Sequence, residues 1–420
     1  MKIIATSDWH LGNLFHGNDR LPEHRHFLAW LTATIEEQQP DALLVAGDVF
    51  DNGNPSAAAQ SAYYEFLADA AEACPAMRIV ITAGNHDSAH RLEAPRPLLT
   101  RHHVEVRGNV QRQWTVEGDK GQWVNNYSDL MIPVSGRDGL EVVVLAVPYL
   151  RNDVVQNACY SQGVNRFLRA LTQEARTTYP GRPLVMMAHM YAKGAEIAGK
   201  DPSEKVVIGG QEEVIMEGWA DHPDYLTCGH IHKRQLIWDT DWAGYTGSVL
   251  PMSFAEKDYH HGVDLVILEA GHAPQVTQLS YRPQHPLLVL PEGDEELTVK
   301  QIRKLVEKTL PERTDGQLDE HAAYVVLKVK MDKVSSEEIK ALEDTFAGKN
   351  AILCKLQKIM PTLALTDLSG SQHITSIDDI LDRDPMEALK ETFSAITKKD
   401  LSESQELMLR NMLDGMKIEE

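Results

Sequence analysis

The sequence is short of positive charge. Its 420 residues carry 41 Lys and Arg against 62 Asp and Glu, a formal net charge of −21 at pH 7. This argues against broad, nonspecific electrostatic binding of nucleic acid by the chain alone, because such binding runs on neutralised phosphates. It leaves room for a local basic cleft, a metal-mediated contact or a basic partner. Cysteine is scarce as well. Cys74, Cys159, Cys228 and Cys354 are widely spaced and form no C-x-x-C pair. Neither a disulfide framework nor a Cys-type zinc site is suggested, and a reducing cytoplasm fits. Long apolar runs are missing. The longest, Val142 to Leu150, is nine residues and contains Pro148, too short for a membrane span. Asp8 interrupts the first apolar run too early for a signal peptide. Against these absences, 43% hydrophobic and 25% charged residues are ordinary for a water-soluble chain, and the length predicts two or three domains.

What is present is a recurring arrangement: an apolar run, often a glycine, then polar groups able to hold a metal. Residues 3–6 read as a buried strand followed by Ser7-Asp8-Trp9-His10-Leu11-Gly12. Asp8 and His10 are two apart, so in extended backbone they share a face. Trp9 between them reads as packing rather than as a base-stacking group. Residues 23–38 carry a helical apolar stripe. Ala42 to Val45 is a second strand, running into Ala46-Gly47-Asp48-Val49-Phe50-Asp51. Residues 56–74 are helical in pattern, and the aromatic face with Tyr63, Tyr64 and Phe66 suits packing on a sheet or a dimer interface. Met77 to Thr82 is a third strand, ending in Ala83-Gly84-Asn85-His86-Asp87-Ser88. Residues 104–140 read as hairpins and loops, and residues 162–178 as a helix. Leu184 to His189 is a strand ending in a histidine, and Tyr225 to Cys228 runs into Gly229-His230-Ile231-His232. A Gly- and charge-rich loop over 192–213 is a candidate for shaping substrate access. Val263 to Leu268 reads as the last strand of this region.

Near Arg282-Pro283-Gln284-His285-Pro286 the texture changes to a linker. A β-α-β-α-β pattern follows over 287–359, a second, smaller α/β domain. After another linker at 361–375, residues 376–417 show two short amphipathic helices.

Each of these groups alone has a bland reading as a turn residue or a helix cap. Together, in order, D-x-H, G-D-x-x-D, G-N-H-D, H and G-H-x-H each follow an apolar strand. Asp8, His10, Asp48, Asn85, His189, His230 and His232 make seven N/O ligands with no thiolate, which suits a pair of divalent ions such as manganese. Asp48 is the economical carboxylate for both. Two ions roughly 3.5–4 Å apart clamp a phosphoryl group and activate water, so the expected chemistry is phosphoester hydrolysis. His86 is placed to stabilise charge on the phosphate, and Asp51 to support the Asp48 loop or a ligand histidine.

These motifs resemble those of the calcineurin-like metallophosphoesterases. Thr6 to Gly12, Ala46 to Asp51, Ala83 to Ser88, Gly229 to His232, and Gly247-Ser248 through Ser253-Phe254 are similar to the SbcD-type nucleases within them. The motifs cover about residues 1–270. The resemblance implies an α/β fold: a β-sandwich flanked by helices over 1–280, a capping domain at 285–360 and a C-terminal helical segment at 376–417. It implies that Asp8, His10, Asp48 and His232 hold one metal and Asp48, Asn85, His189 and His230 the other, with His86 as the catalytic residue. It further implies manganese-dependent 3′→5′ exonuclease and endonuclease cleavage of double-stranded and hairpin DNA, gated by an SbcC-like ATPase whose coiled coil receives the terminal helices. Dimerisation through helices in the 56–103 region, a homodimer within a heterotetramer, and a cytoplasmic, nucleoid-associated location follow from the same resemblance. The competing expectations are a stand-alone phosphatase or cyclic-nucleotide phosphodiesterase, and a non-catalytic scaffold on the same fold. A small-molecule phosphatase needs neither the second domain nor the terminal helices.

Overall fold

Two six-stranded sheets lie face to face in the computed structural model, which describes residues 1–359 apart from 118–119, 156–158, 198–212, 217–218, 294, 315 and 331–334. Most of the 192–213 loop and the expected 376–417 helices therefore lie outside the described residues.

The first sheet is assembled from β1 (Lys2–Thr6), β2 (Ala42–Ala46), β3 (Arg78–Thr82) and β4 (Val104–Arg107), all parallel. Crossover helices α1 (Leu21–Gln38) and α2 (Ala57–Ala73) join the first three strands, and α3 (Ala89–Glu93) leaves the end of β3. The second sheet holds β5 (Met131–Ser135), β6 (Glu141–Ala146), β7 (Leu184–His189), β8 (Tyr225–Gly229) and β9 (Ala243–Tyr245), with helix α4 (Tyr160–Thr178) before β7. From β6 to β9 these strands are parallel; β5 and a two-residue strand at Gln235–Leu236 close the edges antiparallel. The chain then returns to the first sheet, where β10 (Gly262–Ile267) pairs antiparallel with β1 and β11 (Gln275–Ser280) with β10.

Alternation along each strand divides three apolar layers. Ile3, Ala5, Leu44 and Val80 meet Val142, Val144, Val185 and Met187 between the sheets. Ile4, Leu43, Val45, Ile79 and Ile81 point the other way, onto Phe27, Leu31, Tyr63 and Phe66 of α1 and α2. Val143, Leu145, Met186 and Leu226 pack likewise on Val164, Phe167 and Leu171 of α4. A strand covered on both faces reads as an unbroken apolar run, which is why the strands are legible in the sequence. Trp9 is fully buried, edge-on to Phe66 at 5.2 Å, so it packs and stacks on no base. Tyr63 is buried in the same layer while its neighbour Tyr64 stays exposed.

The third sheet is parallel, β12 (Leu287–Leu290), β13 (Ala323–Lys330) and β14 (Ala351–Ile359), with helices α5 (Val299–Thr309) and α6 (Ser336–Ala347). Ser335 opens α6 by accepting from the Glu338 amide, which the Glu338 side chain reciprocates. One face of this sheet packs on its own helices through Ile302, Val306, Val325, Leu327 and Leu342. Its other face meets the first sheet's loops, where Tyr324 and Val326 pack on Phe15 and Phe254. No helix among the described residues is long and apolar enough to cross a membrane.

Candidate metal centre

Five parallel strands deliver the site. Asp8 and His10 follow β1, Asp48 follows β2, Asn85 and His86 follow β3, His189 ends β7, and His230 and His232 follow β8. All are carboxyl ends of parallel strands, where α/β sheets bind ligands. Their ligand atoms gather into three overlapping groups, each within 4.8 Å: Asp8, His10 and His232; His10, Asp48 and His86; Asp48, His189 and His230. Asn85 joins the third, its Oδ1 3.0 Å from both His189 Nε2 and His230 Nδ1. All seven expected ligands and His86 thus meet in one place. Asp51 lies at its edge, its carboxylate 3.5 Å from His10 Nδ1 and holding the Asn13 amide at 2.9 Å.

Local backbone explains how charged groups enter so dry a place. Asp8, His10, Asp48 and His230 all sit at positive φ, between 48° and 104°. Such conformations cost non-glycine residues about 1–3 kcal/mol each and persist where the surroundings enforce them. Gly84 is required by close approach: a Cβ there would fall 2.1 Å from Asp48 Oδ1. Asp48 Oδ1 instead accepts the His86 amide at 2.8 Å. Asp8 accepts the His230 amide at 2.9 Å, which ties β1 to β8 across the two sheets.

Further bonds orient the rings. His189 Nδ1 donates to the Ala46 carbonyl at 3.0 Å, which leaves Nε2 facing Asp48 Oδ2 at 3.3 Å. His86 Nδ1 donates to the Asp51 carbonyl at 2.8 Å, so Asp51 reaches His86 through its backbone as well as His10 through its carboxylate. Burial opposes charge on His189, but the Asp48 carboxylate outweighs it and pushes the imidazole up to about 9. Burial also opposes charge on His232, and Glu256 pushes it up to about 9. His230 goes the other way, down to about 3, through burial and the neighbouring His189 charge. Burial works to raise Asp48, yet His189 and His10 hold it far below the usual carboxylate range.

Two observations show that the site suits cations. Asp8 and Asp48 are buried, and among the described residues the ion pairs of Asp48 are with His10 and His189, never with Lys or Arg. His10 is buried too, and its ring is poorly satisfied: Nδ1 has only the Asp51 carboxylate at 3.5 Å and Nε2 has no hydrogen-bond partner, a costly state unless a ligand takes Nε2. Carboxylate, amide oxygen and imidazole together match a harder or borderline divalent ion.

Two further contributors carry no sequence signal of their role. Asp87 is buried, and its carboxylate accepts the amides of Val49 and Phe50 at 3.1 and 2.9 Å and of Gly84 at 2.9 Å. It clamps the Asp48 turn to the Asn85 turn. The G-N-H-D run contains it, but nothing in that run tells a clamp from a ligand. Glu256 accepts from His232 Nδ1 at 2.9 Å and lies in a turn with no distinguishing pattern.

The calcineurin-like phosphoesterase family profile matches residues 1–234. Over 387 residues the chain is 34% identical to the SbcD component of the nuclease SbcCD from Rhodobacter capsulatus, covering 89% of this chain and 91% of that one. The chain belongs to the calcineurin-like phosphoesterases, in the branch of the SbcD nucleases. Its Escherichia coli K12 relative of the same name is 30% identical, with 70% of this chain and 71% of that one covered. The Bacillus subtilis relative is 29% identical, with 64% and 67% covered. The chain is accordingly a metal-dependent nuclease, and divalent ions are part of its chemistry.

Proposed function

We propose that this chain is the nuclease component of a complex with a coiled-coil ATPase of the SbcC type, and that it hydrolyses phosphodiesters of double-stranded and hairpin DNA with two manganese ions. The observation that carries the reading is the place of Asp48, which stands in two of the three ligand groups and so bridges them. Asp8, His10, Asp48 and His232 hold one ion; Asp48, Asn85, His189 and His230 hold the other. Ions held there supply positive charge that polarises the phosphoryl oxygens and acidifies a water. The protein's own groups do the rest. His86, anchored by Nδ1 on the Asp51 carbonyl, turns Nε2 to the phosphate and, as the imidazolium, donates to it as charge develops. Asp51 steadies His10. The wall formed by buried Trp9, Leu11 and Phe50 limits water behind the ligands.

In this reading residues 1–280 are the nuclease domain, 285–360 cap it, and 376–417 dock on the ATPase's coiled coil. The chain works as a homodimer within a heterotetramer in the cytoplasm, on the nucleoid. The ATPase supplies the DNA affinity that a chain of net charge −21 lacks. The test is to offer the purified chain, with manganese, both linear DNA and a small phosphodiester, with and without the ATPase and ATP. DNA cleavage stimulated by the partner is expected. Cleavage of the small ester alone, with DNA untouched even beside the partner, would overturn the reading in favour of a small-molecule phosphodiesterase.

A further inference from the structure

Behind His232 stands a carboxylate with both oxygens committed. Glu256 Oε1 accepts a hydrogen bond from His232 Nδ1 at 2.9 Å, and Oε2 accepts the Met252 amide at 2.8 Å. Glu256 is 3% exposed, so the ring cannot exchange this partner for water. With Nδ1 occupied, the nitrogen left for the Asp8–His10–His232 group is Nε2.

The turn that carries Glu256 is gripped by the third sheet. Ser253 Oγ accepts the Ala255 amide and shapes the turn. Phe254, two residues before Glu256, belongs to one apolar cluster with Phe15 and the β13 residues Tyr324 and Val326. Its ring centroid is 5.4 Å from that of Phe15, which in turn is 5.1 Å from Tyr324. On the other side Arg20, fully buried, donates to the Pro251 carbonyl and forks onto Glu23 at 2.9 and 3.0 Å. Glu23 also accepts the Tyr324 hydroxyl at 3.0 Å. The turn from Pro251 to Glu256 is therefore held at both ends by groups that themselves touch β13. Among the described residues the other ligand group has no such backing: His189 and His230 bond to Ala46, Asn85 and Asp48, all carried by the two large sheets.

We propose that Glu256 is the positioning residue of His232, and that its turn makes the Asp8–His10–His232 site answer to the seating of the β12–β14 sheet while the Asp48–His189–His230 site does not. The proposal rests on His232 being a metal ligand. Seated, the sheet holds Phe254 and with it the carboxylate that aims Nε2. Displaced, it frees the turn, and the ring loses its aim and the acceptor that raises its basicity.

The test is a calorimetric manganese titration of the full, metal-stripped chain, with electron paramagnetic resonance following the bound ions. His232→Ala and His189→Ala identify which binding phase belongs to which site. Glu256→Gln should weaken the His232-dependent phase by about 10–100-fold and leave the other unchanged. Tyr324→Ala, at the seam and remote from both sites, should weaken the same phase in the same direction. Should that variant fail to fold by thermal melting, Tyr324→Phe, which keeps the ring and loses the Glu23 bond, should still give a several-fold loss confined to that phase. If His232→Ala keeps both phases, His232 is not a ligand, and the reading beneath the proposal fails. If His232→Ala loses one phase while Glu256→Gln retains wild-type affinity in both, the positioning role is overturned. Folded Tyr324 variants with both phases unchanged would overturn the coupling.

Discussion

Asp48 Oδ2 and His189 Nε2 lie 3.3 Å apart across the line where the two sheets meet. One is carried by the first sheet and the other by the second, so the centre exists only while the sheets stay packed. Their attraction joins metal binding to the integrity of the sandwich.

Asp48→Asn should therefore empty the centre rather than halve it. The substitution removes the charge shared by two ligand groups while keeping its shape. In the proposed reading, manganese content by elemental analysis should fall from two ions per chain towards none, and nuclease activity should vanish. A variant that retains one tightly held ion would contradict a bridging role.

His86→Ala should separate binding from turnover. The ring is anchored on the Asp51 carbonyl, and in the proposed reading it faces the phosphate. Loss of such a group costs on the order of 10²–10³ in rate. Two bound ions with a turnover number lowered that far are expected; near-normal turnover, or loss of an ion, would show that the ring has another task.

Asp87→Ala should strip three buried amides of their acceptor. At roughly 1–3 kcal/mol for each unsatisfied group, the cost is at least about 3 kcal/mol, partly relieved if water enters. Chemical denaturation should register that loss, and metal affinity should fall with it because the Asp48 and Asn85 turns are no longer tied. Unchanged stability would mean that the amides find other partners.

Metal binding should release protons. In the metal-free chain His189 and His232 are pushed up to about 9, so at pH 7 both rings are charged and must deprotonate to coordinate. Release should approach two protons per chain below pH 8 and fade as pH rises through 9, where the rings are already neutral. Calorimetry in buffers of different ionisation enthalpy measures this directly. A proton count near one at pH 7 would remove one ring from the ligand set, and a count near zero would remove both.

Much of this can be read along the chain because the ligands follow strands buried on both faces. An unbroken apolar run such as Ala42 to Val45, then a glycine, then a carboxylate is a local signal. Strand β11 is less legible: in Gln275–Ser280 only Val276 and Leu279 are apolar, three apart and so out of step with a strand's period, at a half-covered edge, and the pattern merges with the linker that follows. The short helix α3 escapes a reading of the sequence because five residues carry too little periodicity. The aromatic face of α2 points on pattern to packing against the sheet, with a dimer interface as the alternative; burial of Tyr63 beside exposure of Tyr64 reflects a helix half covered by the sheet.

By itself the sequence determined the chemistry: which side chains follow which strands, in what order, and which oxygen and nitrogen donors they offer to divalent ions. Those are properties of residue type and short spacing. Only the tertiary structure decided which groups serve the ligands. Asp87 matters because it reaches amides 37 and 38 residues away, and Glu256 because it meets a ring 24 residues earlier while its turn is held by a third sheet. A hydrogen bond between distant residues leaves no periodic trace in a chain, since it depends on where the backbone returns and not on what lies beside it.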